Sequence, residues 1–336
     1  MSSQSRNYNH IYGPVSSRRL GRSLGVDIVP FKTCSYDCVY CQLGRTTNLT
    51  AEPQALVSAG QVVEEIERWL RSGGQADYIT FAGSGEPTLN TELGEMIRLT
   101  RELTSVPIAV LTNGSLLMNP EVQEAASSAD VILPSLDAGR EDTFRSVNRP
   151  AEGIDFVDMT EGLVRTAQEA RGEIWLEVML VRGYNDSEVE LSAIREIVRR
   201  IVPDRVQINT VDRPSASEDV QAVTSDTLSR ARKILGCNAE IVAAVKQQPE
   251  GAGGLSASET AVLDLLRRRP CTIHGIASSL GLHINEAGKI VHALAVERRV
   301  ESVRRGRELF YRCAARKRVS RGAEFDCAPR VEEPDV

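Results

Sequence analysis

The chain has 336 residues, 41% hydrophobic and 26% charged, with a net charge of −6. This is the make-up of a globular protein long enough for one large domain and a small one. The mild acidity gives no global nucleic-acid footprint, and no apolar run reaches the ~20 residues of a membrane span.

The opening MSSQSRNYNHIYGP lacks the apolar core of a secretory signal. A reducing cytoplasm, without a membrane partner, is the expected location. Seven cysteines, an odd number, argue against a disulfide framework.

From about residue 24 to about residue 245, strand-like and helix-like segments alternate. LGVDIVPF (24–31) reads as a strand, and VSAGQVVEEIERWLRSG (57–73) carries apolar residues at helical spacing. DYITFAG (77–83), VPIAVLTNG (106–114), DVILPSLDA (130–138), EIWLEVMLV (173–181) and RVQINTV (205–211) read as further strands. Helices are expected at 89–104, 120–129, 157–171, 187–201 and 222–235. The alternation predicts parallel strands with helical crossovers. Six units fall short of a closed eightfold barrel, so the expectation is an α/β partial (β/α)6 barrel over residues 1–245. In such folds the chemistry sits in the loops after the strands.

Residues 246–255 open a glycine-rich stretch that reads as a linker. Over 256–315, three short helices and two β-like pieces around Gly306 form a winged helix-turn-helix pattern. Residues 316–336 have little to bury and are expected to be disordered. Arg298, Arg299, Arg304, Arg305, Arg307, Arg312, Arg316, Lys317, Arg318 and Arg321 make a basic stretch suited to nucleic acid or an acidic protein. Asn285, Glu286, Lys289 and His292 are what the recognition-helix segment offers to base edges.

FKTCSYDCVYCQLGR (31–45) places Cys34, Cys38 and Cys41 at C-x3-C-x2-C spacing just after the first expected strand. Soft thiolates suit iron–sulfur clusters or zinc. Three ligands on a [4Fe-4S] cluster leave one iron open. A zinc site borrowing a distant ligand, or unrelated buried thiols, are the alternatives. Cys237, Cys271, Cys313 and Cys327 are scattered and form no second motif.

The cysteine motif, with Tyr40 before its last cysteine, resembles the CxxxCx-aromatic-C signature of the radical S-adenosylmethionine (SAM) superfamily. The text GPVSSRRLGRSLGVDIVPFKTCSYDCVYCQLGRTT is similar to a subgroup containing wyosine-forming tRNA enzymes. The resemblance covers roughly residues 13–245 and implies that a [4Fe-4S] cluster held by Cys34, Cys38 and Cys41 binds SAM through its open iron. Reduction then cleaves SAM to a 5′-deoxyadenosyl radical that abstracts hydrogen from a substrate the sequence does not name. A one-electron donor such as a flavodoxin or ferredoxin is implied as a partner.

FAGSGEPTL (81–89) resembles the family's GGE motif, with Gly83 and Gly85 allowing close backbone approach or positive φ and Glu86 adding a carboxylate. It departs from the pattern in reading G-S-G-E. Asn113, Ser135 and Asp137 end the next two strands, where the family holds ribose or the methionine ammonium. Glu177, Gln207 and Asn209 are polar residues on expected core strands and candidates for a lined cavity. Arg18, Arg19, Arg22, Arg45, Arg145 and Arg149 are candidate anion contacts as a group, although any one of them reads more readily as a solvated surface charge. No protein general base is required for the first step, so no catalytic residue is assigned. An iron- or oxygen-sensing DNA-binding regulator, with the winged helix as output, is the alternative reading.

Overall fold

The computed structural model of the chain describes residues 8–211, 220–236, 238–242, 257–268, 270–305 and 308–314. In chain order, β1 (Ile11–Ser17) and β2 (Gly21–Asp27) form a hairpin, and β3 (Thr33–Cys34) and β4 (Asn48–Leu49) bracket the cysteine loop. Then follow α1 (Ala59–Arg71), β5 (Tyr78–Ala82), α2 (Leu93–Leu103), β6 (Ile108–Thr112), α3 (Pro120–Ser127) and β7 (Val131–Pro134). The helices α4 (Glu141–Val147) and α5 (Phe156–Glu169) precede β8 (Glu173–Leu180), α6 (Glu188–Ile201), β9 (Arg205–Thr210), α7 (Ser225–Leu235) and β10 (Ala239–Ile241). The C-terminal unit comprises α8 (Ala257–Arg268), α9 (Ile273–Leu280), α10 (Ile284–Val296) and the antiparallel pair β11 (Val300–Arg305) and β12 (Glu308–Cys313).

The central sheet has eight strands in the order β1-β2-β5-β6-β7-β8-β9-β10. Every neighbouring pair is parallel except β1 with β2. The six expected strands are all present, as an α/β fold with a mostly parallel central sheet. Two edge strands add to them. β1 carries Pro14 and pairs only on one side, where a missing N–H is tolerated. β10 is three residues long, too short to announce itself by periodicity.

Alternate residues divide the sheet between two environments. Leu24, Val26, Ile79, Phe81, Ile108, Val110, Leu176, Val178, Val206 and Ile208 are buried in the main core with Ile66, Met96, Leu191 and Leu228 of the helices. Ala109, Val131, Leu133 and Trp175, from the opposite face, close a smaller apolar cluster with Leu20.

Three aspartates set the lower register. Asp77, Asp130 and Asp204 each stand just before a strand and accept the N–H of Arg22, Ile108 and Ile174 on the adjacent strand, at 2.7, 2.7 and 2.8 Å. Each satisfies a backbone donor at a strand start that would otherwise lack a partner.

The expected linker at 246–255 and the tail at 316–336 lie outside the described residues. So do Cys237, Cys327, Arg307, Arg316, Lys317, Arg318 and Arg321. No described helix is long and apolar enough to cross a membrane.

Candidate metal and cofactor site

β2 ends at Asp27, and the chain turns through Val29–Phe31 into the cysteine loop at the carboxyl end of the sheet. The loop is bonded on both flanks. On one side, Asp37 N–H donates to Asn148 O at 3.0 Å, Val39 N–H to Val147 O at 2.9 Å, and Ala151 N–H to Ser35 O at 2.9 Å. The segment after α4 is thereby laid along the loop, and Tyr36 packs edge-on against Phe144, with ring centroids 5.4 Å apart.

On the other side lies the GSGE turn. Lys32 N–H donates to Ser84 O at 2.7 Å, and Glu86 N–H to Thr33 O at 3.1 Å. A Cβ on Gly85 would stand 1.7 Å from the Thr33 carbonyl oxygen, so this contact admits only glycine. Gly85 serves by close approach and does not have positive φ, whereas Gly83 does, at 142°. Its absent side chain makes room for Asp27, whose Oδ1 would be 2.2 Å from a Cβ there. The departure at Ser84 also acquires a role. Ser84 is buried, its hydroxyl donates to Asp27 Oδ2, and its N–H donates to Asp27 Oδ1. The extra residue anchors the turn to the end of β2.

Glu86 is buried and accepts four bonds: Thr88 N at 3.1 Å, Thr88 Oγ1 at 2.6 Å, Thr112 Oγ1 at 2.6 Å and Asn113 N at 2.7 Å. It locks the turn after β5 to the turn after β6. Burial pushes its pKa up, and the four donors oppose that shift.

Asp137, 3% exposed, has a similar place after β7. Its Oδ2 accepts from the Tyr40 hydroxyl and from Asn148 Nδ2 at 2.8 Å, and its Oδ1 from Met179 N at 3.0 Å. Burial raises its pKa to about 6. The aromatic position of the cysteine motif is therefore fixed by a carboxylate from another strand end.

Asn113 Nδ2 donates to Ser35 Oγ at 2.8 Å, and Ser115 Oγ meets Ser35 Oγ at 2.7 Å. Ser135 N–H bonds Thr112 O at 3.1 Å, and Ser135 bridges Glu177 in the sheet. Glu177 pairs with Arg19 at 3.0 Å and accepts from Asn209 Nδ2 at 3.2 Å. Gln207 donates to Glu240 at 2.9 Å, while its own Oε1 is buried without a partner among the described residues.

Most of the candidate arginines have separate partners. Arg22 meets Asp77, Arg45 meets Asp37 and Arg145 meets Glu141, whereas Arg18 bonds the Val242 carbonyl. A cavity of about 1220 Å³ opens at the opposite end of the strands beside Asp130, Glu173 and Asp204, away from the cysteines.

Cys34, Cys38 and Cys41 lie partly covered on one loop. Burial, with Glu86 nearby, raises the Cys34 thiol to about 12, and burial with Asp137 pushes Cys38 well up. Such thiols stay protonated until a metal's charge draws the proton off. Among the described residues no three His, Cys, Asp or Glu side chains gather closely enough to hold a single ion. A [4Fe-4S] cluster would take one iron to each thiolate. Three sulfurs presented on one loop suit it.

The C-terminal unit touches this site. A Cβ on Gly288 of α10 would meet the Phe31 ring at 2.8 Å and Leu43 at 3.4 Å, and one on Gly44 would meet His292 at 3.2 Å. His283, the N-cap of α10, stacks on Tyr12 at 4.2 Å and brings Nε2 to 3.7 Å from Asp27 Oδ2. The regulator alternative gains no support. The recognition-helix segment has Asn285 buried and His292 against Gly44, and it is packed on the cysteine loop.

Lys32, Asn148, Ser84 and His283 are the residues of this region that sequence reasoning did not select. Only the G-S-G-E departure signalled one of them.

Residues 28–193 match the family model for the radical SAM superfamily. A UPF0026 protein of Synechocystis is 38% identical over 205 residues, covering 61% of this chain and 76% of that one. The chain belongs to the UPF0026 family, within the radical SAM superfamily. It is an enzyme of that superfamily, whose cofactors are a [4Fe-4S] cluster and SAM. A Brachyspira hyodysenteriae protein named GTPase Obg is 41% identical over 271 residues. That match covers 80% of this UPF0026 chain, which spans 40% of the longer protein's length. Among solved structures, a radical SAM methyltransferase from Sphaerobacter thermophilus shares the fold. Its TM-score is 0.51 at 21% identity, over 69% of each chain.

Proposed function

We propose that this chain is a radical SAM enzyme with its active site at the carboxyl ends of β2 and β5–β9, and that its C-terminal unit is a winged helix walling one flank of that site. The observation that carries the reading is the bonding of the cysteine loop to the GSGE turn on one side and to the segment after α4 on the other. Cys34, Cys38 and Cys41 would hold three corners of the cluster and leave the fourth for SAM. When bound, these cofactors supply a 5′-deoxyadenosyl radical that takes hydrogen from the substrate.

The chain's own residues position and enclose. Gly85 brings backbone to the cysteine loop, Gly83 leaves room for the Asp27 side chain, and Glu86 holds two strand-end turns together. Asp137 fixes Tyr40. Asn113, Ser135, Glu177, Gln207 and Asn209 are the polar side chains offered to SAM or substrate from successive strands. Phe31, Leu43 and α10 keep water from the outer flank of the loop.

The likeness of the region around the cysteines to wyosine-forming tRNA enzymes favours an acidic macromolecule, nucleic acid or protein, as substrate or partner. Exposed Arg298, Arg304 and Arg312 near the hairpin suit it. A flavodoxin- or ferredoxin-like donor would supply the electron.

The test is anaerobic reconstitution with iron and sulfide, then reduction in the presence of SAM. Release of 5′-deoxyadenosine is expected, and it should vanish when Cys34, Cys38 and Cys41 are all changed to Ala. Stoichiometric zinc binding with no iron–sulfur reconstitution would overturn the reading. Binding to a nucleic acid should weaken steeply with salt, since each contacted phosphate releases counterion.

A further inference from the structure

Each sulfur of the cysteine motif faces one side-chain N–H donor, and the three donors come from three parts of the chain. Asn113 Nδ2, after β6, is 3.7 Å from Cys34 Sγ. Asn148 Nδ2, after α4, is 3.5 Å from Cys38 Sγ. Lys32 Nζ, from the start of the loop, is 3.6 Å from Cys41 Sγ. Each donor is held by a second bond: Asn113 to Ser35, Asn148 to Asp137, and Lys32 to the Gly44 carbonyl.

Lys32 is the telling member. It is 3% exposed, its φ is +65°, and among the described residues no carboxylate forms an ion pair with it. A buried ammonium without an anion is costly. The anion this one is placed to meet is a cysteine thiolate.

We infer that Lys32, Asn113 and Asn148 form a ring of positioning donors that raises the reduction potential of the bound cluster. The inference rests on the cluster assignment above. An added electron increases the negative charge on cluster and thiolate sulfur. Fixed N–H donors stabilise that reduced form more than the oxidised one. Lys32 adds a full positive charge, so its removal should act most strongly.

The experiment is an EPR-monitored redox titration of full-length, reconstituted protein, with iron content measured on every sample. Lys32→Met should shift the reduced-to-oxidised ratio at fixed potential at least tenfold toward oxidised, about 59 mV for one electron. Lys32→Arg, which keeps charge and N–H, should stay within threefold of wild type. Asn113→Leu and Asn148→Leu should each shift the same way by a smaller factor.

Iron-loaded Lys32→Met with an unchanged midpoint overturns the inference. So does loss of iron from all four variants, because the residues would then build the loop and not tune it. If Lys32→Met alone fails to load, the two asparagine variants decide, unchanged midpoints again overturning it. Wild-type protein that loads no cluster would instead fail the cluster assignment.

Discussion

The Tyr40 hydroxyl donates to Asp137 Oδ2, tying the aromatic position of the cysteine motif to the end of β7. Three donors converge on this one buried carboxylate. Tyr40→Phe removes one and should cost roughly 1–3 kcal/mol in the apo protein, the range for disturbing a buried hydrogen bond. Asp137→Ala orphans all three donors and should cost more. It should also lower iron content, because Asn148 and Tyr40 lose their fixed orientation. Urea unfolding and iron analysis would check this; wild-type values for Asp137→Ala in both would refute it.

Gly85→Ala should abolish cluster loading, with the helices and sheet retained by circular dichroism. The added methyl must displace the Thr33 carbonyl, and Thr33 immediately precedes Cys34. Gly73→Ala is the control. It replaces a positive-φ glycine that stands in open space and should leave iron content unchanged.

His283 gives the docking of the C-terminal unit a pH dependence. Burial, helped by the charges of Lys289 and His10, lowers its pKa from 6.5 to about 4. Its Nδ1 accepts the Asn285 N–H, so the imidazole is neutral at pH 7 and its approach to Asp27 is not an ion pair. The lowered pKa means stability is fully present above pH 6.5 and is lost as pH falls toward 4. The full window is worth on the order of 3 kcal/mol. Asp27, raised by burial, acts in the opposite sense. Tyr12 and Glu286 also flank the contact, and Tyr12 is held neutral by burial. A His283→Phe variant isolates the histidine contribution: its stability should fall less than wild type's between pH 6.5 and 4.5. Parallel curves for the two proteins would contradict this.

Gly288→Leu should part α10 from the cysteine loop. The new side chain meets the Phe31 ring, which can shift only by opening the loop or the interface. Amide exchange at residues 31–45 should rise, and the reconstituted cluster should bleach faster in air. Unchanged exchange across that segment would mean α10 does not cover it.

The six parallel strands were legible because apolar runs and turn residues alternate cleanly in this sequence. The first has a strand pattern over 24–31, but pairing with β5 ends at Asp27 and the remainder turns toward the cysteines. The cysteines, Glu86 and Asp137 were legible as residues belonging to strand ends. Their bonding was not, since Asp137 meets a residue 97 positions away. Lys32 reads in sequence as a solvated charge, and Asn148 sits in the polar run SVNRP, where no periodicity marks it. Both acquire meaning only when the segment after α4 and the GSGE turn close on the loop. The basic helix–hairpin region suits contact with nucleic acid or an acidic protein. Nothing local in α10 showed that its glycine face was reserved for Phe31.

That glycine contact limits how the two halves of the chain can be inherited. Phe31 sits three residues before the first cysteine, and its ring occupies the space a side chain at position 288 would need. A three-helix module borrowed from an unrelated protein would bring a larger residue there and collide with the cofactor loop. The C-terminal module is therefore not an interchangeable cassette. In relatives that retain it, residues 31, 43, 44, 288 and 292 should change together, and a relative that has shed it should carry a polar residue in place of Phe31.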